Sequence, residues 1–366
     1  MTGAVKGAEY VKHPPRNREL KSSPKHPPLF LRPHQMPSKL RVITNRRPNA
    51  DPNVPPFPVT EPVEWIYTEF IDNKPSPESL RGTHVFIGTD FTKEMGAAAD
   101  SLRAILIPAA GYDRIDPEAV PEGCIVANAY HHEAPIAEWV MAVAVALDHE
   151  LLKSESTFRA GSWEMWPGRH GSYRELMGRT FGIVGFGAIG RRVAKLAQAY
   201  EMPVIAAGRV ETADGELYGA NYIGGGNRAR EYVLSESDFV LISTPLGPAT
   251  HGLIGAHELG LMKPTAYIIN PARGHIIDET ALYNALKNRT IAGAAIDTWY
   301  QYPESPTDAP RPSDQPFWEL DNIIMVPHHS GATNGTATRR AQTVAQNLDN
   351  LSRGEPLVNV VQEISR

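Results

Sequence analysis

The hexapeptide Gly185-Phe186-Gly187-Ala188-Ile189-Gly190 constrains the fold of this chain more than any other stretch of it. It directly follows a short apolar run, 181–184, and opens a helix-like segment, 191–200. Strand, glycine turn and helix in that order form the phosphate-binding corner of a dinucleotide fold. Gly185 allows the tight turn, Gly187 lets backbone approach a pyrophosphate, and Gly190 lets the helix pack closely on the strand. With Ala188 and Ile189 they bring the free N–H groups and positive dipole end of a helix to the phosphates. A plain turn tolerates such glycines too; the strand before and the helix after favour nucleotide binding.

Around this corner, β-branched runs of four or five residues recur at helix-length intervals: 181–184, 204–207, 239–243, 266–270, 292–296 and 323–326. They lack clean alternation, which suits strands buried on both faces, hence a parallel sheet with helical crossovers. Upstream, 40–43 is a short, mostly apolar run, 84–88 and 103–107 read as strands, and 136–152 as a long helix. Residues 333–351 read as a closing helix ended by Gly354. At 366 residues the chain is too long for one ordinary core, so two domains are expected.

Acidic residues outnumber basic ones, 41 to 36, so the balance offers no footprint for nucleic acid or an anionic membrane. The longest apolar run, 139–147, stops at Asp148, well short of the ~20 residues that a span needs. No apolar stretch at the start suits a signal peptide. The single cysteine, Cys124, can form neither an intramolecular disulfide nor a thiolate metal site, and no metal is expected. A soluble, cytoplasmic protein is the expectation. Residues 1–38 stand apart, with seven lysines and arginines, two glutamates and seven prolines. That composition reads as a flexible arm, or alternatively as a partner-binding or targeting arm.

The strand after the glycine corner bears on which dinucleotide binds. A carboxylate about 20 residues past the loop bonds the ribose 2′-OH of NAD, whereas an arginine there suits the 2′-phosphate of NADP. Here the run 204–207 is followed by Gly208-Arg209 with no acid at its end. NADP is therefore favoured over NAD. Glu211 lies close enough to complicate the choice, and an exposed arginine beside another NAD arrangement is the alternative.

Further along, Asn270-Pro271-Ala272-Arg273-Gly274 follows one strand, Asp297 ends the next, and Pro327-His328-His329-Ser330-Gly331 follows the one after that. Ligands in such sheets lie outside the carboxyl ends of the strands, so Arg273 and His328 can both reach a nicotinamide. A permanently charged planar fork matches a carboxylate, and an imidazole titrates near working pH. Here the sequence resembles the D-isomer-specific 2-hydroxy acid dehydrogenase family, over about residues 40–362. Carrying the resemblance are Gly111-Tyr112-Asp113-Arg114-Ile115-Asp116, Ala137-Glu138, Gly178-Arg179-Thr180, Thr244-Pro245-Leu246 and the closing Gly354-Glu355-Pro356-Leu357-Val358-Asn359.

The resemblance implies an α/β fold with two Rossmann-like domains. A doubly wound parallel-sheet dinucleotide-binding domain, 149–332, would be inserted into a smaller flavodoxin-like substrate domain, 39–148 plus 333–366. It implies an NAD(P)-dependent oxidoreductase that passes a hydride between nicotinamide and a small 2-hydroxy or 2-keto acid. Arg273 would hold the substrate carboxylate and keto oxygen, and His328 would exchange the proton, with His329 pointing away. Backbone N–H groups of Ala109, Ala110 and Gly111 would grip the carboxylate. The cofactor would meet the glycine corner, Gly208, Arg209, Thr244, Pro245, Pro271, Ala272, Asp297, Ser330 and Gly331. A homodimer would form through the helix from residue 136 and the aromatic segment 158–173; the competing reading has its tryptophans merely capping the second domain.

The chain departs from the family at one position. Most members carry a glutamate 29 residues after the arginine that pairs with the histidine; here Tyr302 stands there, before a proline-rich insertion, 303–316. Tyr302 becomes the candidate partner of His328, with Glu304 as a carboxylate able to fold back. Formate dehydrogenases, relatives in the same superfamily, use a glutamine, and Gln301 is one residue from matching. Their substrate-loop asparagine aligns with His132, which is either a substrate contact or a loop histidine. The alternatives are thus a formate-type or other small-anion dehydrogenase, or a dinucleotide-sensing binding protein with little turnover.

Overall fold

Burial on both faces decides how the apolar runs are used. The computed structural model describes residues 39–45, 56–68, 70, 71, 74–208, 219–303, 307–362, 364 and 365. The arm 1–38, Arg209, Glu211 and Glu304 lie outside the described residues. From the start run β1 (Leu40–Thr44), β2 (Val63–Tyr67), a small hairpin of β3 (Phe70–Ile71) and β4 (Lys74–Pro75), β5 (Val85–Ile87), α1 (Lys93–Ala98), β6 (Ala104–Ile107) and β7 (Ile125–Asn128). Three helices follow, α2 (Glu133–Asp148), α3 (Leu151–Arg159) and α4 (Pro167–His170). Then come β8 (Phe181–Val184), α5 (Ala188–Ala199), β9 (Val204–Gly208), β10 (Tyr222–Gly225), α6 (Gly226–Glu236), β11 (Phe239–Ile242) and α7 (Ala256–Leu261). The chain ends through β12 (Tyr267–Asn270), α8 (Glu279–Lys287), β13 (Gly293–Ile296), β14 (Ile323–Met325) and α9 (Asn334–Arg353).

Two parallel sheets result. The smaller has the order β2-β1-β5-β6-β7, which is the flavodoxin-like arrangement. The larger has the order β10-β9-β8-β11-β12-β13-β14, a doubly wound Rossmann sheet extended by one strand. Successive residues of each strand feed opposite faces. On one face of the large sheet Phe181, Ile183, Phe239 and Leu241 meet Val193, Ala194 and Ala197 of α5 and Val140, Met141 and Ala144 of α2. On the other, Val240, Ile242, Ile268 and Ala294 meet α6 and α8. The last helix, α9, turns Ala341, Val344, Ala345, Leu348 and Leu351 onto the small sheet. That spacing is one helical stripe. So α2 packs on the large sheet and α9 on the small one, and the chain crosses between the sheets twice, at 129–132 and 330–333.

The expected helix 136–152 needs correction. It starts earlier, at Glu133, and stops at Asp148. Glu150, with φ 47°, then breaks the direction before α3. Asp148 is buried and takes Arg179 as an ion-pair partner, with Arg174 at 3.8 Å, which anchors the chain where the break occurs. Strands β2, β7 and β10 were not expected. All three lie at a sheet end. The half-polar pattern of Val63–Tyr67 and the paired glycines of Tyr222–Gly225 carry little apolar signal, while β7 is a buried run of only four residues that ends in Asn128. The phosphate-corner helix starts at Ala188 rather than at 191. Among the described residues no helix is long and apolar enough to cross a membrane.

Candidate active site

The glycine corner is shaped by close approach. Gly185 has φ 101°, and a Cβ there would lie 2.7 Å from the Ser243 carbonyl carbon and the Thr244 nitrogen. Only glycine lets the end of β8 pass the end of β11 this tightly. The Ser243 hydroxyl donates to the Gly185 carbonyl at 2.6 Å and closes the contact. Gly187 is the N-cap of α5, and a Cβ added there meets nothing within 4 Å, so the helix N-terminus faces open space. An uncovered N-terminus of a twelve-residue helix beside a bare glycine turn fits a pyrophosphate. Gly208 ends β9, while Arg209 beyond it lies outside the described residues. Thr244 and Pro245 follow β11, and Thr244 Oγ1 is buried with no hydrogen bond among the described residues.

Arg273 follows β12 on a loop that Asn270 stitches. The Asn270 amide donates to the Arg273 carbonyl at 2.9 Å, and its oxygen accepts from the Ala272 N–H at 3.0 Å, across Pro271. The backbone at Arg273 is therefore fixed, and the guanidinium extends toward the small sheet. One of its nitrogens donates to the Ala272 carbonyl at 2.8 Å and another to Asp113 at 3.1 Å. A Cβ on Gly111 would lie 2.2 Å from that second nitrogen, so the loop after β6 admits the arginine only because residue 111 has no side chain. Burial would raise the Asp113 carboxyl, but the Arg273 guanidinium overrides it and holds that carboxyl below its ordinary range. The loop is itself anchored. Asn128 donates to the Ala110 carbonyl at 2.7 Å, and the Ala129 N–H donates to the Ala109 carbonyl at 3.0 Å.

His328 follows β14 in the left-handed region, with φ 57°. Buried Asp297 holds the turn: its carboxylate accepts from the His329 N–H at 2.8 Å, the Ser330 N–H at 3.2 Å and the Ser330 hydroxyl. The adjacent Gly331 leads into α9. Tyr302 lies beside His328, with its oxygen 3.0 Å from His328 Nδ1. The same oxygen accepts the Trp299 N–H at 3.0 Å, and the Trp299 indole donates to the Val326 carbonyl at 2.8 Å. Burial lowers the His328 pKa; Asp297 pulls it up, Arg273 and Arg114 push it down, and the outcome lies below the ordinary histidine value. Burial likewise raises the Tyr302 hydroxyl, so it stays protonated and neutral. Gln301 does not take the partner's place; its amide pairs with Asp314 at 2.5 Å.

The structure thus brings Arg273, Gly111, Tyr302 and His328 to neighbouring edges of the two sheets. Arg114 joins them; its Nη1 is 3.3 Å from Asp90. His132 precedes α2 at the crossing between the sheets, and its Nδ1 is buried with no hydrogen bond among the described residues. Burial lowers its pKa, with Arg273 near enough to add to the effect. Sequence reasoning missed Asn270, the Asp113–Arg273 pair and the support that Trp299 gives Tyr302. Asn270 carried a local signal, as the polar residue ending an apolar strand; the Asp113–Arg273 pair joins residues far apart in sequence and had none.

Leu151, Leu152, Phe158, Trp163 and Trp166 are each more than half exposed. The tryptophans are therefore not buried within this chain.

Comparisons with known proteins identify the family. The family described as D-isomer specific 2-hydroxyacid dehydrogenase, NAD binding domain, matches residues 141–330. A glyoxylate reductase of Korarchaeum cryptofilum is 35% identical over 274 residues, 74% of this chain and 79% of that protein. A D-3-phosphoglycerate dehydrogenase of Methanocaldococcus jannaschii is 33% identical over 290 residues, 78% of this chain and 52% of that one. Among solved structures, an acyclic imino acid reductase in complex with NADPH and D-arginine superposes with a TM-score of 0.69 at 26% identity, covering 82% of this chain and 92% of that one. With the glycine corner, the two sheet orders and these matches together, the chain belongs to the D-isomer-specific 2-hydroxyacid dehydrogenase family, NAD(P)-dependent oxidoreductases that transfer a hydride between nicotinamide and a small 2-hydroxy or 2-keto acid.

Proposed function

We propose that the substrate sits between the carboxyl ends of the two sheets, oriented by Arg273 and the loop 109–111, with His328 moving its proton. The observation that carries this reading is the meeting of Arg273 with the side-chain-free Gly111 and with Asp113, 160 residues earlier, which makes a cationic slot open to an anion. The large-sheet portion serves as the dinucleotide-binding domain. Because α2 packs on that sheet, its start moves from the expected 149 back to 133, leaving 39–132 with 333–366 as the substrate domain. A nicotinamide dinucleotide at the glycine corner supplies or accepts the hydride at substrate C2.

The chain's own groups then do the rest. The substrate carboxylate replaces Asp113 on the Arg273 fork, a charge-assisted bidentate exchange. In the reductive direction imidazolium His328 donates its Nε2 proton to the oxygen that forms on C2. Tyr302 keeps the ring oriented in either charge state. It donates to Nδ1 when the imidazole is neutral and accepts from Nδ1–H when it is charged, while the Trp299 N–H fixes its oxygen. The oxidative direction reverses the proton, with neutral imidazole as the base.

The finer readings rest on specific features. Gly208-Arg209 favours NADP over NAD, and the imino acid reductase neighbour was solved with NADPH. The exposed aromatic and leucine surface of α3 and residues 158–166 supports a homodimer. The lone cysteine, buried and pushed up to about 12 by loss of solvent, suits a reducing cytoplasm. The glyoxylate reductases among the relatives make glyoxylate the first acid to assay. Arg273→Lys keeps charge but loses the fork. With NADPH and with NADH, this variant should lose roughly a hundredfold in kcat/KM for glyoxylate, about the 3 kcal/mol of a charge-assisted contact. Near-normal efficiency in Arg273→Lys would place the carboxylate elsewhere, and no cofactor oxidation by the wild type would favour the dinucleotide-sensing reading.

A further inference from the structure

We propose that a cavity beside the catalytic cleft receives the far end of the substrate and that Arg340 reads a second carboxylate there. The preferred substrates would then be 2-oxo or 2-hydroxy dicarboxylic acids with an apolar spacer. The inference rests on the reading of the cleft given above and adds the substrate class.

The cavity has a volume of about 570 Å³, within the ordinary range for small-molecule sites. It lies where the order of the small sheet reverses. From β1 the chain goes to β2 on one side, and β5 lies on the other. Thr44 and Asn45 at the end of β1 and Ile87 at the end of β5 line the cavity. A crevice at the carboxyl ends of strands at such a switch point is the usual place for a ligand in an open α/β sheet.

Its position relative to the chemistry is informative. Pro108, which directly precedes the loop 109–111, forms part of the wall, and so does Gly331, three residues past His328. The cavity therefore borders both the carboxylate loop and the acid/base. The side of α9 that lines it carries Ala337 and Ala341, small residues that leave the volume open, and Phe57 and Ile87 add apolar surface. An acyl chain entering from C2 would meet this apolar surface, with Thr44, Asn45, Thr333, Asn334 and Thr336 also lining the space.

Arg340 is the one charged residue among those described as lining the cavity. Its Nε donates to the Tyr130 carbonyl at 2.9 Å, which pins the stem while using a neutral acceptor. Among the described residues it closes no ion pair, although Glu133 is within electrostatic reach. Burial costs the guanidinium part of its hydration, and its pKa is lowered accordingly. Its neighbour Arg339 holds the adjacent His131 carbonyl at 3.3 Å and does not line the cavity. A half-buried guanidinium held by a neutral carbonyl in the cavity wall is matched by a carboxylate, which restores both charge balance and paired hydrogen bonds.

Two six-carbon acids decide the matter, 2-oxohexanoate and 2-oxohexanedioate, which share a chain length and differ in the terminal carboxylate. Glyoxylate, too short to enter the cavity, is the internal reference. The wild type should favour the diacid over the monoacid in kcat/KM by on the order of tenfold or more, the scale of one charge-assisted contact. Arg340→Met should bring that ratio close to one, and Arg340→Lys should keep part of it. Ala337→Phe fills the space without altering charge, and should lower both six-carbon acids relative to glyoxylate by on the order of tenfold. Because every readout is a ratio between substrates of one preparation, poor folding of a variant does not imitate the result. A wild-type ratio at or below one, or a ratio that survives Arg340→Met, overturns the inference while glyoxylate turnover leaves the cleft reading intact. Failure of all three acids, glyoxylate included, overturns the cleft reading and this inference with it.

Discussion

The proposed pH dependence turns on one residue, Tyr302, whose oxygen lies 3.0 Å from His328 Nδ1. A carboxylate beside a histidine stabilises imidazolium, while a neutral phenol orients the ring without adding charge. Burial, Arg273 and Arg114 already hold the His328 pKa below its ordinary value, with Asp297 and Asp113 opposing. Reduction draws its proton from imidazolium, so reductive kcat/KM should fall as pH rises through a value below ~6.5. Oxidation needs neutral imidazole and should persist to correspondingly low pH. Tyr302→Glu should move the reductive limb upward by about one unit or more, and Glu304→Gln should leave the wild-type limb where it is. A wild-type limb already above neutrality that collapses only in Glu304→Gln would mean that a displaced carboxylate holds the histidine. Arg273 and His328 were legible in sequence because each directly follows an apolar strand whose carboxyl end must face the ligand. Asp113 on Arg273 and Trp299 under Tyr302 were not, because each depends on how separate loops come to rest against one another.

At the scale of elements, long apolar runs were legible, while short or glycine-rich strands at the sheet ends (β2, β7 and β10) were not. The runs that became β8, β11, β12 and β13 are wholly buried, and their uninterrupted apolar character reflects that. By contrast β10 ends in Gly224-Gly225 and pairs on one side only, so its pattern looks like a turn. Length misled the reading of α2, because apolar residues continue past its end and only the buried Asp148 and the left-handed Glu150 mark the stop. The starts of α8 and α9 are held by side-chain caps. Asp278 accepts the Ala281 N–H at 2.7 Å at the start of α8, directly after the loop that carries Arg273. Asp278→Ala should cost about 1 kcal/mol in urea unfolding. An unchanged midpoint would mean that this cap contributes nothing to the stability of the arginine loop.

For the whole molecule, the proposed site lies where two parallel sheets present their carboxyl ends to each other, and among the described residues the chain crosses between them twice. One crossing, 129–132, is tied to α9: the Thr336 hydroxyl donates to the His131 carbonyl at 3.2 Å, and His131 Nε2 lies 2.8 Å from the Thr343 hydroxyl. Both sheet orders could be anticipated from the resemblance, whereas the packing of α2 on the large sheet and α9 on the small one came from the structure. The central claim is that hydride passes to C2 of a 2-keto acid held between these sheets by Arg273 and protonated by His328. The most direct test uses nicotinamide cofactor deuterated at C4 on the transferred face, with pyruvate as acceptor and mass and chiral analysis of the product. The expected result is D-lactate carrying one deuterium at C2, with the yield falling at least about a hundredfold in His328→Ala, the scale of one acid–base group. Cofactor binding without any labelled product, or label transfer that is indifferent to His328→Ala, would contradict it.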